Sequence, residues 1–133
     1  WDGTNATGAP VTPGRYLVSI AATVGTSVLT PTTTEVVIAT KPSAVTAITY
    51  KKLSRTKASI SWTNPTEVLP LSTQYIRVST NGGKTYGKWI KTSKASASAS
   101  FKNWKKGRKY TLQVKVTNAL GESTVSTQRF TMR

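Results

Sequence analysis

The stretch Lys109-Tyr110-Thr111-Leu112-Gln113-Val114-Lys115-Val116-Thr117 decides the fold class. Tyr110, Leu112, Val114 and Val116 occupy every second position, and Thr111, Gln113, Lys115 and Thr117 fill the positions between. Successive side chains of a strand point to opposite faces, so this period of two gives one apolar face and one polar face. Working outward, the same pattern recurs. Residues 57–62 read as a strand with Ile60 and Trp62 on the core face, stopped by Asn64-Pro65. Residues 74–80 follow, with Ile76 and Val78 inward and Tyr75 and Arg77 outward, and Asn81-Gly82-Gly83 turns the chain back. Residues 86–92 read as the next strand, and its Trp89 reads as core. Residues 95–101 are small enough for an edge strand, 44–50 make the first strand of this set and 123–132 the last. Seven short strands punctuated by turns imply a sandwich. Nearer the N-terminus, Tyr16, Val18 and Ile20 alternate with Leu17, Ser19 and Ala21, residues 35–39 read as a second strand, and Gly25 marks the bend between the two. No stretch offers apolar residues at helical spacing.

Composition narrows the chemistry. The 133 residues contain no His and no Cys. Zinc sites on imidazole or thiolate, Ser-His-Asp and Cys-His catalysis, and disulfide staples are therefore excluded. No cofactor and no metal is expected. The four carboxylates, Asp2, Glu35, Glu67 and Glu122, are scattered, so paired acid–base chemistry is not expected. No run of 18 apolar residues is present, and no membrane span is expected. The net charge is +15, unevenly placed. Residues 1–40 hold Arg15 against Asp2 and Glu35, whereas 41–133 hold 18 basic residues against Glu67 and Glu122. The junction at Thr40-Lys41-Pro42-Ser43 reads as a linker between a domain at 1–40 and one at 41–133.

Three segments then carry a resemblance. Ser61-Trp62-Thr63-Asn64-Pro65, Trp104-Lys105-Lys106-Gly107-Arg108-Lys109-Tyr110 and Asn118-Ala119-Leu120-Gly121-Glu122-Ser123 resemble, in order, three landmarks of the fibronectin type III domain. They match the core tryptophan ending the second strand, the Leu-x-Pro-Gly-x-x-Tyr corner before the sixth, and the loop between the last two. Trp104 stands for the usual leucine and Lys106 for the proline. The resemblance implies that Tyr110 buries its ring and bonds nearby upstream main chain. The segment Trp1-Asp2-Gly3-Thr4-Asn5 through Pro13-Gly14-Arg15-Tyr16 is similar to the hallmark of the Ig-like domain of flagellar hook-capping proteins. In that family the hallmark sits in the second half of the domain, which implies a partial Ig-like unit. The expected fold is thus all-β: a fibronectin type III-like sandwich preceded by a partial Ig-like β-sandwich. The resemblance further implies the C-terminal end of a larger secreted bacterial protein, with other domains or chains covering the strand edges of residues 1–40.

The candidate site is the basic stretch 84–109, which holds nine cations, Lys94 among them, and no acid. Lys84, Lys88, Lys91, Lys102, Lys105, Lys106, Arg108 and Lys109, with Arg77 and Lys115 on neighbouring strands, are read as polyanion-binding. Tyr75 and Tyr86 are candidates to stack on sugars or bases. Ser79-Thr80-Asn81-Gly82-Gly83-Lys84-Thr85-Tyr86 resembles a degenerate Asp-box hairpin, whose asparagine is expected to hold the turn. The function expected is a non-catalytic spacer, anchor or adhesive module at a bacterial cell envelope, extracellular or on the cell surface, contacting an anionic envelope polymer or glycan. Sequence-specific nucleic-acid reading is not expected, since no base-reading helix is present. Two rivals are an accessory tail of a secreted peptidase or peptidoglycan hydrolase, and a self-assembling surface structure completed by strand pairing between chains.

Overall fold

The computed structural model describes residues 1–92 and 97–132. The chain divides into two compact units, Trp1–Thr40 and Lys41–Arg133.

In the first unit, β1 (Gly14–Ile20) is followed by a small hairpin of β2 (Thr23–Val24) and β3 (Ser27–Val28), with Gly25 at φ 61° in its turn. The chain returns as β4 (Thr32–Ile38), antiparallel to β1 from Gly14↔Ile38 to Ile20↔Thr32. This register sets Tyr16 opposite Val36 on one face. On the other face Arg15 forms an ion pair with Glu35. Leu17, Ile20, Val24 and Val28 are exposed. Ahead of the strands, side chains hold the loop. Asp2 Oδ1 accepts from the Thr4 amide at 3.0 Å and the Thr4 hydroxyl at 2.6 Å. Asn5 Oδ1 accepts from the amides of Thr7 and Ala9, both at 3.0 Å. These Asx-turn bonds satisfy backbone donors that no sheet reaches.

The second unit is a two-layer sandwich. One sheet, ordered β5-β6-β9, contains β5 (Thr46–Lys52), β6 (Ala58–Thr63) and, after two intervening strands, β9 (Ser98–Phe101). The other sheet uses β7 (Thr73–Ser79), β8 (Ile90–Thr92), β10 (Lys109–Asn118), β11 (Gly121–Glu122) and β12 (Ser126–Thr131). Its order is β11-β10-β7-β8, and β12 pairs with β10 on the same side as β11. Those last two strands are one strand interrupted. Thr117 faces Glu122 and Val114 faces Ser126, so two residues of β10 oppose three on the other side, a bulge. Ser123 repairs the break: its Oγ accepts the Val116 amide at 3.1 Å.

The core lies between the sheets. Ile60, Ile76, Leu112, Val114 and Val116 are fully buried, and Trp62, Trp104, Tyr110 and Met132 nearly so. Each aliphatic side chain taken out of water contributes about 1.5–3 kcal/mol. Trp62 spans the layers, donating its indole N–H to Gln74 Oε1 at 2.9 Å and Asn64 Oδ1 at 3.0 Å. The alternation read in 109–117 holds, with Tyr110, Leu112, Val114 and Val116 inward. At the corner, Tyr110 Oη accepts the Lys105 amide at 2.8 Å. Trp104 lies stacked on Tyr110 at 4.3 Å and on Phe130 at 5.0 Å.

Three expectations need correction. The strand expected over 86–92 spans only Ile90–Thr92. Trp89 is half-buried on the outer face rather than in the core. The reason is parity: Lys91 pairs with Tyr75, an outward residue, and Trp89 shares the parity of Lys91. The first strand of this unit lies two residues later than expected, at Thr46–Lys52, because its pairing with β6 continues through Lys51↔Ser59 and Lys52↔Ala58; it carries a bulge between Thr46 and Thr49 with Ala47 at φ 48°. Of the edge strand expected over 95–101, Ser98–Phe101 is formed, and Ala95 and Ser96 lie outside the described residues.

Candidate functional site

The outer face of the β7–β8–β10 sheet carries an alternating column of rings and cations. The Arg77 guanidinium lies 4.7 Å from the Tyr86 ring centroid and 4.4 Å from that of Trp89. The Lys115 ammonium lies 4.8 Å from Trp89 and 5.5 Å from Tyr75. Register builds the column: Arg77 pairs with Gln113 and Lys115 with Tyr75 on adjacent strands. Polar bonds then fix the cations. Arg77 Nε donates to Gln113 Oε1 at 2.7 Å, and Lys115 Nζ donates to both oxygens of Glu122 at 2.7 Å. Arg77 and Lys115 are therefore spoken for within the sheet, and Tyr75 and Tyr86 each have one ring face against a cation.

The hairpin after β7 holds Tyr86 in place. Asn81 Oδ1 accepts the Ser79 hydroxyl at 2.8 Å and the Thr85 amide at 3.0 Å, and Ser79 Oγ accepts the Gly83 amide at 2.9 Å. Gly83 sits at φ 94°, and a Cβ there would lie 3.3 Å from the Tyr86 hydroxyl. The glycine thus serves both the turn and the close approach of the ring.

The other candidate cations are exposed: Lys84, Lys88, Lys91, Lys102, Lys105, Lys106, Arg108 and Lys109. Hydrogen bonds between loops gather most of them at one end of the sandwich. The Trp104 amide donates to Thr56 O at 3.0 Å, tying the β9–β10 loop to the β5–β6 turn. Arg108 Nε donates to Thr80 O at 3.0 Å, tying the same loop to the hairpin after β7. The Met132 amide donates to Arg108 O at 3.2 Å, bringing in the end of β12. Lys52, Arg55 and Lys106 line one cleft of about 380 Å³ at this pole. Lys109 and Arg129 line another of about 340 Å³, beside Gly82. Lys52, Arg55 and Arg129 are additions that the linear stretch 84–109 does not reveal. The acid-free run Lys51-Lys52-Leu53-Ser54-Arg55-Thr56-Lys57 is the signal that marks two of them. Lys91 lies apart from the pole on β8, paired with Tyr75, and Lys94 lies outside the described residues.

The acids leave this charge uncompensated. Among the described residues there are two ion pairs, Arg15–Glu35 and Lys115–Glu122. Glu67 accepts the Ser43 amide at 2.6 Å. Asp2 is held below the usual carboxylate range, chiefly by the Thr4 hydroxyl and then by the Thr4 amide. No group of three or more Asp or Glu able to hold a metal ion occurs among the described residues. Among the described residues no helix is long and apolar enough to cross a membrane.

No family model and no curated protein matches the chain. Solved structures do. Domains d3–d4 of the rat CD45 extracellular region match at TM-score 0.67 and 15% identity, covering 99% of this chain and 72% of that one. A two-domain fibronectin type III segment of chicken tenascin matches at TM-score 0.60 and 15% identity, covering 93% and 68%. The chicken CNTN1 FN1–FN3 domains match at TM-score 0.58 and 23% identity, covering 91% of this chain and 43% of that one. Identities this low establish likeness of fold, and the fold is all-β with a fibronectin type III/Ig-like sandwich.

Proposed function

We propose that this chain is a non-catalytic, extracellular module of a bacterial envelope protein, and that the basic pole of its sandwich binds anionic polymers such as teichoic acid or acidic glycan. The observation that carries the reading is the convergence of Lys52, Arg55, Lys105, Lys106 and Arg108 from two loops tied together at Trp104 and Thr56, with no acid side chain paired to any of them. Cations gathered at one end of a sandwich raise the local concentration of a polyanion and release its counterions on contact. The similarity of residues 1–16 to a hook-capping Ig-like domain supports the bacterial setting. The extracellular source of the CD45 match supports the location.

Binding of this kind is salt-dependent and indifferent to sequence. For a duplex-like polymer the log–log slope against salt is about −0.9 per phosphate neutralised, so five contacts give roughly −5. The test is retention of the full chain on purified teichoic acid, heparin and DNA across a salt series. The variant Lys52→Gln/Arg55→Gln/Lys105→Gln/Lys106→Gln should flatten the slope by about 3–4 with the fold kept, since exposed cations add little to stability. No retention on any of the three at low salt overturns the reading.

A further inference from the structure

A second feature near this end of the sandwich asks for a different ligand. β8 and β9 are the edge strands of opposite sheets, and both are short: three residues and four. A cleft of about 350 Å³ opens there. Its floor is apolar: Val78, Ile90, Phe101, Trp104 and Tyr110. Phe101 is tilted against Trp104 at 5.7 Å, so the two rings form an angled wall. Ile90 remains half exposed at 49%. Lys88, Lys102 and Arg108 also line the cleft, and none of them has an ion-pair partner among the described residues. The Arg108 guanidinium is anchored at its Nε by Thr80 O.

From this juxtaposition we infer a binding site for a small amphiphilic anion, an aryl or short acyl group bearing a carboxylate or phosphate. An apolar floor alone would take a neutral hydrocarbon, and a basic rim alone would take any inorganic anion. Only a ligand with both parts covers Ile90 and Phe101 while neutralising the three cations. The volume lies at the lower end of ordinary ligand sites, roughly 300–1,000 Å³, and suits one ring with a short tail. The site does not rest on the polymer reading, because a polymer bound at the pole through Lys52, Arg55 and Lys106 needs no apolar floor.

The test is amide and indole NMR of the full chain with 4-phenylbutyrate as the probe, against 4-phenylbutyramide and butyrate. Saturable shifts confined to Gly87, Lys88, Ile90, Asn103 and the Trp104 indole are expected, with a dissociation constant of about 1 mM or tighter. The neutral amide and the ring-less butyrate should each bind at least tenfold more weakly. Lys88→Gln/Lys102→Gln should bring phenylbutyrate down toward the amide, and Ile90→Ser should weaken both. The pole variant that flattens the polymer salt slope should leave phenylbutyrate binding unchanged, which separates failure of this site from failure of the polymer reading. Equal affinity for acid and amide, shifts spread over the exposed lysines, or no saturable shift at 10 mM probe, where a 1 mM site would be mostly filled, overturns the proposal.

Discussion

Tyrosine performs one structural job in each unit, with opposite polarity. Tyr16 donates its hydroxyl to Thr12 O at 2.6 Å, and Tyr110 accepts the Lys105 amide at 2.8 Å. In both, a ring packs while the polar tip satisfies a backbone group a few residues upstream. Tyr110 was legible because Gly107-x-x-Tyr110 resembles the tyrosine corner of the fibronectin type III domain. Trp104 was legible only as a departure from the usual leucine; its stacking on both Tyr110 and Phe130 depends on β12, which no local spacing supplies. The hydroxyl can be isolated by Tyr110→Phe, which keeps the ring stack and strands the Lys105 N–H. The expected cost is about 1–3 kcal/mol, the penalty for an unmet donor. Chemical denaturation of wild type and variant measures it, and a change below about 0.5 kcal/mol, the size of an ordinary surface substitution, would show that water replaces the bond without loss.

Among the elements, β10 could be read from sequence and β8 could not. β10 alternates strongly and is paired on both sides, so its inward set is fixed by its own residues. β8 is three residues long at a sheet edge, and which way Trp89 points is decided by its register with β7. That register turns an expected core tryptophan into the central ring of the outer-face column, with Arg77 at 4.4 Å and Lys115 at 4.8 Å. The column binds β7, β10 and the approach to β8 together through side chains where the backbone ladder is short. Each cation–ring contact of this partly desolvated kind contributes about 0.5–2 kcal/mol. Trp89→Ala should therefore destabilise the sandwich by roughly 2–4 kcal/mol, two contacts plus lost ring burial. Trp89→Phe should recover part of that, because a ring face remains for both cations. If Trp89→Ala costs no more than a typical surface change in denaturant melts, the column is decoration on a sheet already stable without it.

For the whole molecule, the fold redistributes charge that the sequence presents as one basic run. Folding engages Arg77 and Lys115 in the sheet, sets Lys91 apart, and brings Lys52, Arg55 and Arg129 toward Lys106, Arg108 and Lys109. Linear density could not show this, because the gathering is done by the Trp104–Thr56, Arg108–Thr80 and Met132–Arg108 bonds between distant loops. A consequence is stored repulsion. Residues 41–133 carry 18 basic side chains and two acids, and one of those acids is taken by Lys115. Two unit charges 10 Å apart in water repel by about 0.4 kcal/mol before screening, and many such pairs meet at the pole only in the folded state. Salt at 0.5 M shortens the screening length to well under 10 Å and removes most of this. Melting temperature should therefore rise with NaCl from 20 to 500 mM, by roughly 4–8 °C for each kcal/mol of repulsion relieved in a domain of this size. Trp1→Phe leaves Trp62, Trp89 and Trp104 as the only tryptophans, all within Lys41–Arg133, so fluorescence melts of that variant follow the sandwich alone. In this background the Lys52→Gln/Arg55→Gln/Lys105→Gln/Lys106→Gln variant should melt higher at low salt and respond less to added NaCl. A melting temperature that is flat or falls with salt, and is unmoved by the four substitutions, would mean that the loops already hold these cations far enough apart for water to screen them.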